Sequence, residues 1–256
     1  LDPELLGAAV ARVREAGVTT AVRVSPQNAQ ALTPTLVAAG IDLLVIQGTI
    51  ISAERVANDG EPLNLKTFIS ELDVPVVAGG VLDHRTALHL MRTGAAGVIV
   101  GYGSTLGVTT SDEVLGISVP MATAIADAAA ARREYLDETG GRYVHVLADG
   151  DIHTSGDLAK AIACGADACM VSTPLARADE APGKGWHWGP EAWHPRLPRG
   201  ERVRVGRVGS LAAVVEGPSH VPDGTMNLVG ALRKAMSTTG YTEVKEFQRV
   251  EIVVHA

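Results

Sequence analysis

The chain has 256 residues, 46% apolar and 20% charged, which excludes a disordered segment and provides a core that needs no disulfide or metal staple. Lys and Arg number 22 against 29 Asp and Glu, a formal charge of −7, so no basic stripe is present to neutralise a phosphate backbone. Aromatics at 4% exclude base-stacking platforms, no apolar run reaches the roughly 20 residues of a bilayer span, and no secretory signal pattern opens the chain, so neither nucleic acid nor membrane is an expected partner.

Short β-branched runs alternate with longer alanine-rich helical stretches. Residues 4–16 carry helical spacing and stop at Gly17, and 20–25 (TAVRVS) predict a strand. A helix is expected over 29–39 to Gly40, then a strand over 42–48 (DLLVIQG) whose nearly continuous apolar run suits burial on both faces. The rhythm repeats as helix 64–72, strand 74–79, helix 83–93 closed by Gly94, strand 97–102, helix 119–138, strand 143–149, helix 155–164 closed by Gly165, and strand 167–172. Residues 179–210 break the pattern with Pro182, Trp186, Trp188, Pro190 and Trp193, followed by an arginine-rich run, and predict a long loop or flap with a ribbon at 201–208. Residues 225–238 return to a helix and a polar segment ends the chain.

Strand, helix, strand in this order means right-handed crossovers and a parallel sheet. The fold class expected is α/β, a TIM (β/α)8 barrel with about six of its eight βα units present, in one partial domain spanning residues 1–256. A doubly wound sheet is the runner-up. In barrels the working loops follow the strand C-termini. Here those loops hold Gly79-Gly80, Gly101-Tyr102-Gly103-Ser104, Asp149-Gly150-Asp151 and Ser172-Thr173. Small hydroxyls and glycine amides on successive strand ends suit a phosphate nest; tight turns alone are the plainer reading. Cys164 and Cys169, spaced C-x4-C, match neither a redox pair nor a zinc half-site and suit two buried hydrophobes in a reducing compartment, the cytoplasm. His84, His89 and His153 sit at helix starts or on helices, as capping or surface residues do; Ser155 and Asp157 suit an N-cap. Trp186, His187, Trp188 and His194 suit loop packing first and a substrate lid second, while the arginines of 196–207 suit a solvated face before an anion dock.

The stretch ADGDIHTSGDLAKAIACGADACM (148–170) resembles the ADGGI-x-x-SGDI-x-KALAAGADAVM signature of the IMP dehydrogenase and GMP reductase family. VVAGGVLDHRTALHLMRTGAAGVIVGYGS (76–104), VPMATAIADAA (119–129) and VEGPSHVPDGTMNLVGALRKAM (215–236) are similar to further family segments. Within the family the resemblance is nearest to the bacterial IMP dehydrogenase-related paralogue. Members carry about two more barrel strands before the segment that starts here. The resemblance thus implies an N-terminally truncated member, without the regulatory CBS pair. It further implies an oxidoreductase acting on a purine nucleotide (IMP, XMP or GMP) with NAD or NADP, as a homo-oligomer, tetrameric in relatives.

The family's chemistry uses a loop cysteine that attacks purine C2. At that position the chain has Val108, which has no nucleophilic atom, while Thr110 stands where the family keeps a Thr that helps activate water. By resemblance Asp149 accepts from the ribose, Gly150 matches, and Asp151 replaces a glycine whose amide faces the phosphate; a carboxylate there repels a phosphate unless it points away. Ser172 and Thr173 complete the substrate end. On the cofactor side Gln47 stands in place of an acid, with Gly79 and Gly80 beside it, and the backbone carbonyls of Gly101, Gly103 and Val108 match a monovalent-cation site that takes potassium in relatives. The alternative is a non-catalytic nucleotide-binding paralogue that senses or regulates purine synthesis. A third reading is another phosphate-binding barrel activity, with a flavin.

Overall fold

In the computed structural model the described residues are 2–48, 63–104, 116–189 and 201–253. They fall into two compact units, Leu1–Tyr102 with Ala130–His145, and Gly103–Ala129 with Val146–Ala256. The first holds α1 (Pro3–Glu15), β1 (Ala21–Val24), α2 (Ala29–Ala38), β2 (Leu43–Gln47), α3 (Leu65–Ser70), β3 (Val76–Val81), α4 (His84–Arg92) and β4 (Gly97–Gly103). Helix α5 (Met121–Thr139) belongs to the second unit by its first turns and to the first by its last. The second unit continues with β5 (His145–Gly150), α6 (Ser155–Ala163), β6 (Ala168–Cys169), α7 (Thr173–Ala176), β7 (Trp186–His187), β8 (Val203–Arg204), α8 (Leu211–Val215), α9 (Leu228–Thr238) and α10 (Val244–Phe247).

Strands β1 to β4 pair in chain order, all parallel, with Ala21 opposite Leu43, Leu44 opposite Val76 and Val77 opposite Gly97. In the second unit β5 and β6 are parallel, Leu147 opposite Ala168. Six βα units of a (β/α)8 barrel are therefore present, as the alternation of the sequence predicts. In the first unit Leu36, Leu44 and Ile46 are fully buried between α1, α2 and the sheet, with Val10, Val24 and Val76. Each such side chain contributes about 1.5–3 kcal/mol of apolar burial. A smaller core in the second unit joins Ala178, Val214 and Leu228 with Leu158, Leu175 and Val208 around them.

The recurring helix-to-strand turn has a shared mechanism. Gly40 (φ +82°) and Gly165 (φ +115°) end their helices in the left-handed region, where a Cβ is strained. Two residues later an aspartate caps the start of a strand. Asp42 Oδ2 accepts from the Thr20 N–H at 2.7 Å, and Asp167 Oδ2 accepts from the Val146 N–H at 2.9 Å. Asp167 Oδ1 also receives Lys245 Nζ and Gln248 Nε2, both at 3.1 Å, which ties α10 to the α6–β6 turn.

Three short helices, α7, α8 and α10, lie where no periodicity predicted them, because four or five residues give too few turns for an apolar face to repeat. The strand expected over 167–172 is regular only at Ala168–Cys169, with one further ladder bond from Met170, before the chain turns into α7. The ribbon of the flap pairs β8 antiparallel with β7, Trp186 opposite Arg204.

Candidate functional site

In the second unit the C-terminal end of β5 carries Asp149, 7% exposed, and then Gly150. A Cβ on Gly150 would lie 2.6 Å from Met121 Sδ, so the thioether of α5 fills the place of a side chain. Asp151 follows with φ +43°, a left-handed conformation that costs a non-glycine residue about 1–2 kcal/mol. This conformation brings its Oδ1 to 3.1 Å from Nε2 of His153, two residues on. The carboxylate that would repel a phosphate is thus met by an imidazole. His153 precedes the helix rather than lying on it, and its cap is Thr154, not Ser155.

That cap is a capping box. Thr154 Oγ1 accepts from the Asp157 N–H, and Asp157 Oδ2 accepts from the N–H groups of Thr154 at 3.0 Å and His153 at 3.3 Å. The Ser155 N–H donates to the Gly224 carbonyl at 2.8 Å, so the loop before α9 covers the α6 N-terminus. Burial opposes the charged form of Asp157, but the hydrogen bonds from Lys160 and Thr154 outweigh it and hold the carboxyl below its ordinary value. A lowered folded value stabilises the fold above the unfolded value, about pH 4, and the contribution is lost as pH falls through the folded one. Asp157→Asn is expected to cost about 1 kcal/mol near neutrality. Denaturant unfolding of both proteins down the pH scale should show that difference shrinking as the wild-type carboxyl becomes protonated; a constant difference would contradict the capping role.

Residues after β6 reach the same end of the unit, since β6 is hydrogen-bonded to β5 and the Met170 N–H continues the ladder to the Ala148 carbonyl at 2.8 Å. Ser172 is exposed, while Thr173 is buried and its hydroxyl donates to Ser104 Oγ at 3.4 Å. Helix α7 packs on β7, and β7 carries His187. The His187 Nδ1 is buried without a hydrogen-bond partner among the described residues, as is Arg177 Nε at the end of α7. Burial lowers the His187 pKa first, and the neighbouring His153 lowers it further. Trp186 is half exposed rather than packed, and Arg202 stacks over Trp188 at 5.4 Å, so one of the flap arginines has an aromatic partner. Trp193 and His194 lie outside the described residues.

The first unit places Gln47 at the end of β2, 7% exposed, with its Oε1 accepting from Arg23 Nη1 of β1 at 3.1 Å. Arg23 was not among the residues singled out by sequence, because its register two residues before the Gln47 level is set by the β1–β2 pairing. The Gly48 N–H donates to the Gly79 carbonyl at 2.9 Å. A Cβ on Gly79 would lie 2.5 Å from Ile99 Cβ and 2.6 Å from the Ile99 carbonyl, which gives that glycine a packing reason of its own. Gly80 lies at the register shift between β3 and β4. Gly101 and Gly103 have φ of +93° and +100°, and Val108 and Thr110 lie outside the described residues. Neither cysteine offers a thiolate. Burial pushes the Cys169 thiol up to about 12 and raises that of Cys164 as well, despite the nearby Lys160. Among the described residues no group of three His, Cys, Asp or Glu side chains is placed to hold a metal ion, and no helix is long and apolar enough to cross a membrane.

Residues 8–191 match the family model described as the IMP dehydrogenase / GMP reductase domain. The chain belongs to that family. It is 80% identical over 256 residues to a protein of Mycolicibacterium smegmatis named only as an uncharacterized oxidoreductase, covering 99% of this chain and 68% of that protein. Against the inosine-5'-monophosphate dehydrogenase of Aquifex aeolicus the identity is 33% over 239 residues, 83% of this chain and 44% of the enzyme. An IMP dehydrogenase/GMP reductase-like protein of Corynebacterium glutamicum has the same fold, with a TM-score of 0.92 and 55% identity over all of this chain and 66% of its own.

Proposed function

We propose that the chain binds a purine nucleoside monophosphate at the ends of β5 and β6 and serves a purine-nucleotide oxidoreduction with NAD or NADP. The observation that carries this reading is Asp149, a carboxylate buried to 7% exposure at a strand end, followed by Gly150 and by an Asp151 already met by His153. A buried carboxylate with polar neighbours suits ribose hydroxyls. Ser172 and Thr173 offer hydroxyls for the phosphate.

The family's nicotinamide partner would be held at the other strand ends by Gln47 and Arg23. Arg23 puts positive charge and N–H donors beside Gln47, which stands where the family has an acid, and this suits the acceptor oxygens of a dinucleotide better than a ribose diol. When bound, that cofactor supplies or takes a hydride. Potassium on the carbonyls of Gly101, Gly103 and Val108, a homo-oligomer and a cytoplasmic location complete the proposal on the same family grounds.

The second reading, a non-catalytic nucleotide sensor, is favoured by the two cysteines, which are both held as neutral thiols, and by a valine at the family's cysteine position. Calorimetric titration with IMP in potassium buffer, beside GMP and inorganic phosphate, tests the shared part of both readings. Affinity near micromolar, about −8 kcal/mol, is expected. Loss or gain of nicotinamide absorbance on adding NAD or NADPH then separates enzyme from sensor, and a yellow protein would indicate a flavin instead. No heat with either nucleotide would remove the purine site.

A further inference from the structure

The ribbon of the flap carries chemistry that the strand-end site does not use. Trp186 stands opposite Arg204, and His187 opposite Val203. Side chains alternate along extended strands, so His187 and Val203 share one face while Trp186 and Arg204 share the other. The His187 face is the inner one, since its Nδ1 is buried. Trp186 is 46% exposed and Arg204 is exposed, so the other face meets solvent. One step further along the ribbon, the Arg202 guanidinium lies over the Trp188 ring at 5.4 Å. Alternation puts that pair on the Trp186 side as well. The outer face therefore carries two levels, each of one tryptophan and one arginine.

The two levels differ in one respect. The Trp188 ring packs against Gly183, where a Cβ would lie 3.2 Å from Cζ3, and has Arg202 over its face. Among the described residues no ring or guanidinium stacks on Trp186, and Arg204 makes no ion pair. Residues directly opposite in an antiparallel pair have Cβ atoms about 5 Å apart. Arg204 thus stands within reach of a group lying on the Trp186 indole. The base of this level is fixed, because the Trp186 N–H donates to the Gly183 carbonyl at 3.0 Å and the Val205 and Gly206 N–H groups donate to the Gly185 carbonyl at 2.9 and 3.1 Å. Neighbouring charges are engaged elsewhere. Arg207 pairs with Asp179 at 3.6 Å, and Lys184 donates to the Asp179 carbonyl at 3.0 Å. Alternation assigns Glu201 to the Val203 face.

We propose that this outer face is a second ligand site, which takes a nucleotide with its base stacked on Trp186 and its phosphates on Arg204. A cationic, aromatic patch on a chain of formal charge −7 is complementary to an anion that carries a flat ring. An inorganic anion would leave the indole exposed, and an uncharged ring would leave the guanidinium without a partner. A nucleotide satisfies both, since bases stack on indole faces and guanidinium donors match phosphate oxygens. A nucleic-acid strand fits less well, because one available indole offers no track for successive bases. The proposal does not depend on the purine reading of the strand ends of β5 and β6.

Calorimetric titration with ADP, adenosine and pyrophosphate tests it, on the wild type, Trp186→Leu, Trp186→Phe, Arg204→Gln and Asp149→Ala. All but the last change exposed positions and should keep the wild-type melting temperature. ADP should bind the wild type at least tenfold tighter than either adenosine or pyrophosphate. Trp186→Leu should weaken ADP about tenfold, the worth of one stacked base, and Trp186→Phe should recover most of that loss. Arg204→Gln should weaken ADP by a similar factor and leave adenosine unchanged. Asp149→Ala should leave ADP affinity as it is. ADP binding that survives both ribbon changes and disappears with Asp149→Ala would overturn the inference and support the strand-end site. Pyrophosphate binding as tightly as ADP would overturn the nucleotide assignment, and no ADP binding to the wild type would overturn the site altogether.

Discussion

Gly79→Ala is expected to destabilise the protein by about 3 kcal/mol, the upper end of what overpacking a filled core costs. The added methyl would sit 2.5 Å from Ile99 Cβ, 2.6 Å from the Ile99 carbonyl oxygen and 2.9 Å from Ile99 Cα. Two of those atoms are backbone in the neighbouring parallel strand, where Gly79 stands opposite Ile99, and the third is fixed to it. Nothing short of separating β3 from β4 relieves the contact, and separation would also strain the Gly48–Gly79 hydrogen bond to β2. Gly150→Ala is the internal control. Its closest contacts, at 2.6 to 3.1 Å, are all with the flexible end of Met121, which can swing into another rotamer at a cost of about 1 kcal/mol or less. Thermal unfolding of the two variants side by side should show a large drop for the first and a small one for the second. Equal drops would mean that Gly79 is needed for something other than strand packing.

The contrast between these two glycines shows where the sequence was legible. Glycines after Ala-rich stretches marked the helix ends at positions 17, 40, 94 and 165, and all four have positive φ. Local backbone demands of this kind are written in residue type, because few residues other than glycine tolerate the left-handed region. The strand order could be inferred too, since strands separated by single helices pair as neighbours. The reason for Gly79, by contrast, lies in Ile99, twenty residues away and across a strand pair. Both Gly79 and Gly150 stood in the sequence as bare strand ends, and only the register shows which of them faces backbone.

The site was legible to a similar depth. The signature at 148–170 located Asp149, Gly150 and Asp151 at a strand end, where the structure puts them. The pairing of Asp151 with His153 was not visible. Two residues apart on an extended chain, side chains share a face but stand about 7 Å apart; these two meet because Asp151 adopts φ +43° and turns the chain. His187 reads from the sequence as loop packing because its partner strand, Val203–Arg204, lies far along the chain and no periodicity links the two. Arg23 was silent for a third reason. An arginine in a four-residue strand looks like a solvent-facing position until the strand beside it supplies Gln47 as an acceptor.

Asp149→Ala should weaken IMP binding by about 100-fold or more, the largest effect expected of any single change at the site. A carboxylate accepting from two hydroxyls makes hydrogen bonds worth about 1.5–3 kcal/mol each. At 7% exposure little water is present to replace the lost acceptor. Asp149→Asn keeps the shape and one acceptor oxygen but removes the charge, and a loss of roughly tenfold is expected of it. Inorganic phosphate separates the contributions within the site. It has no ribose, so its affinity should be unchanged or slightly improved in both variants, because a negative charge has been removed nearby. Calorimetric titrations of both variants with both probes therefore give a pattern rather than a single number. A loss confined to IMP assigns Asp149 to the ribose. A parallel loss of phosphate would show that Asp149 supports the β5 turn as a whole, and unchanged IMP affinity would place the nucleotide elsewhere.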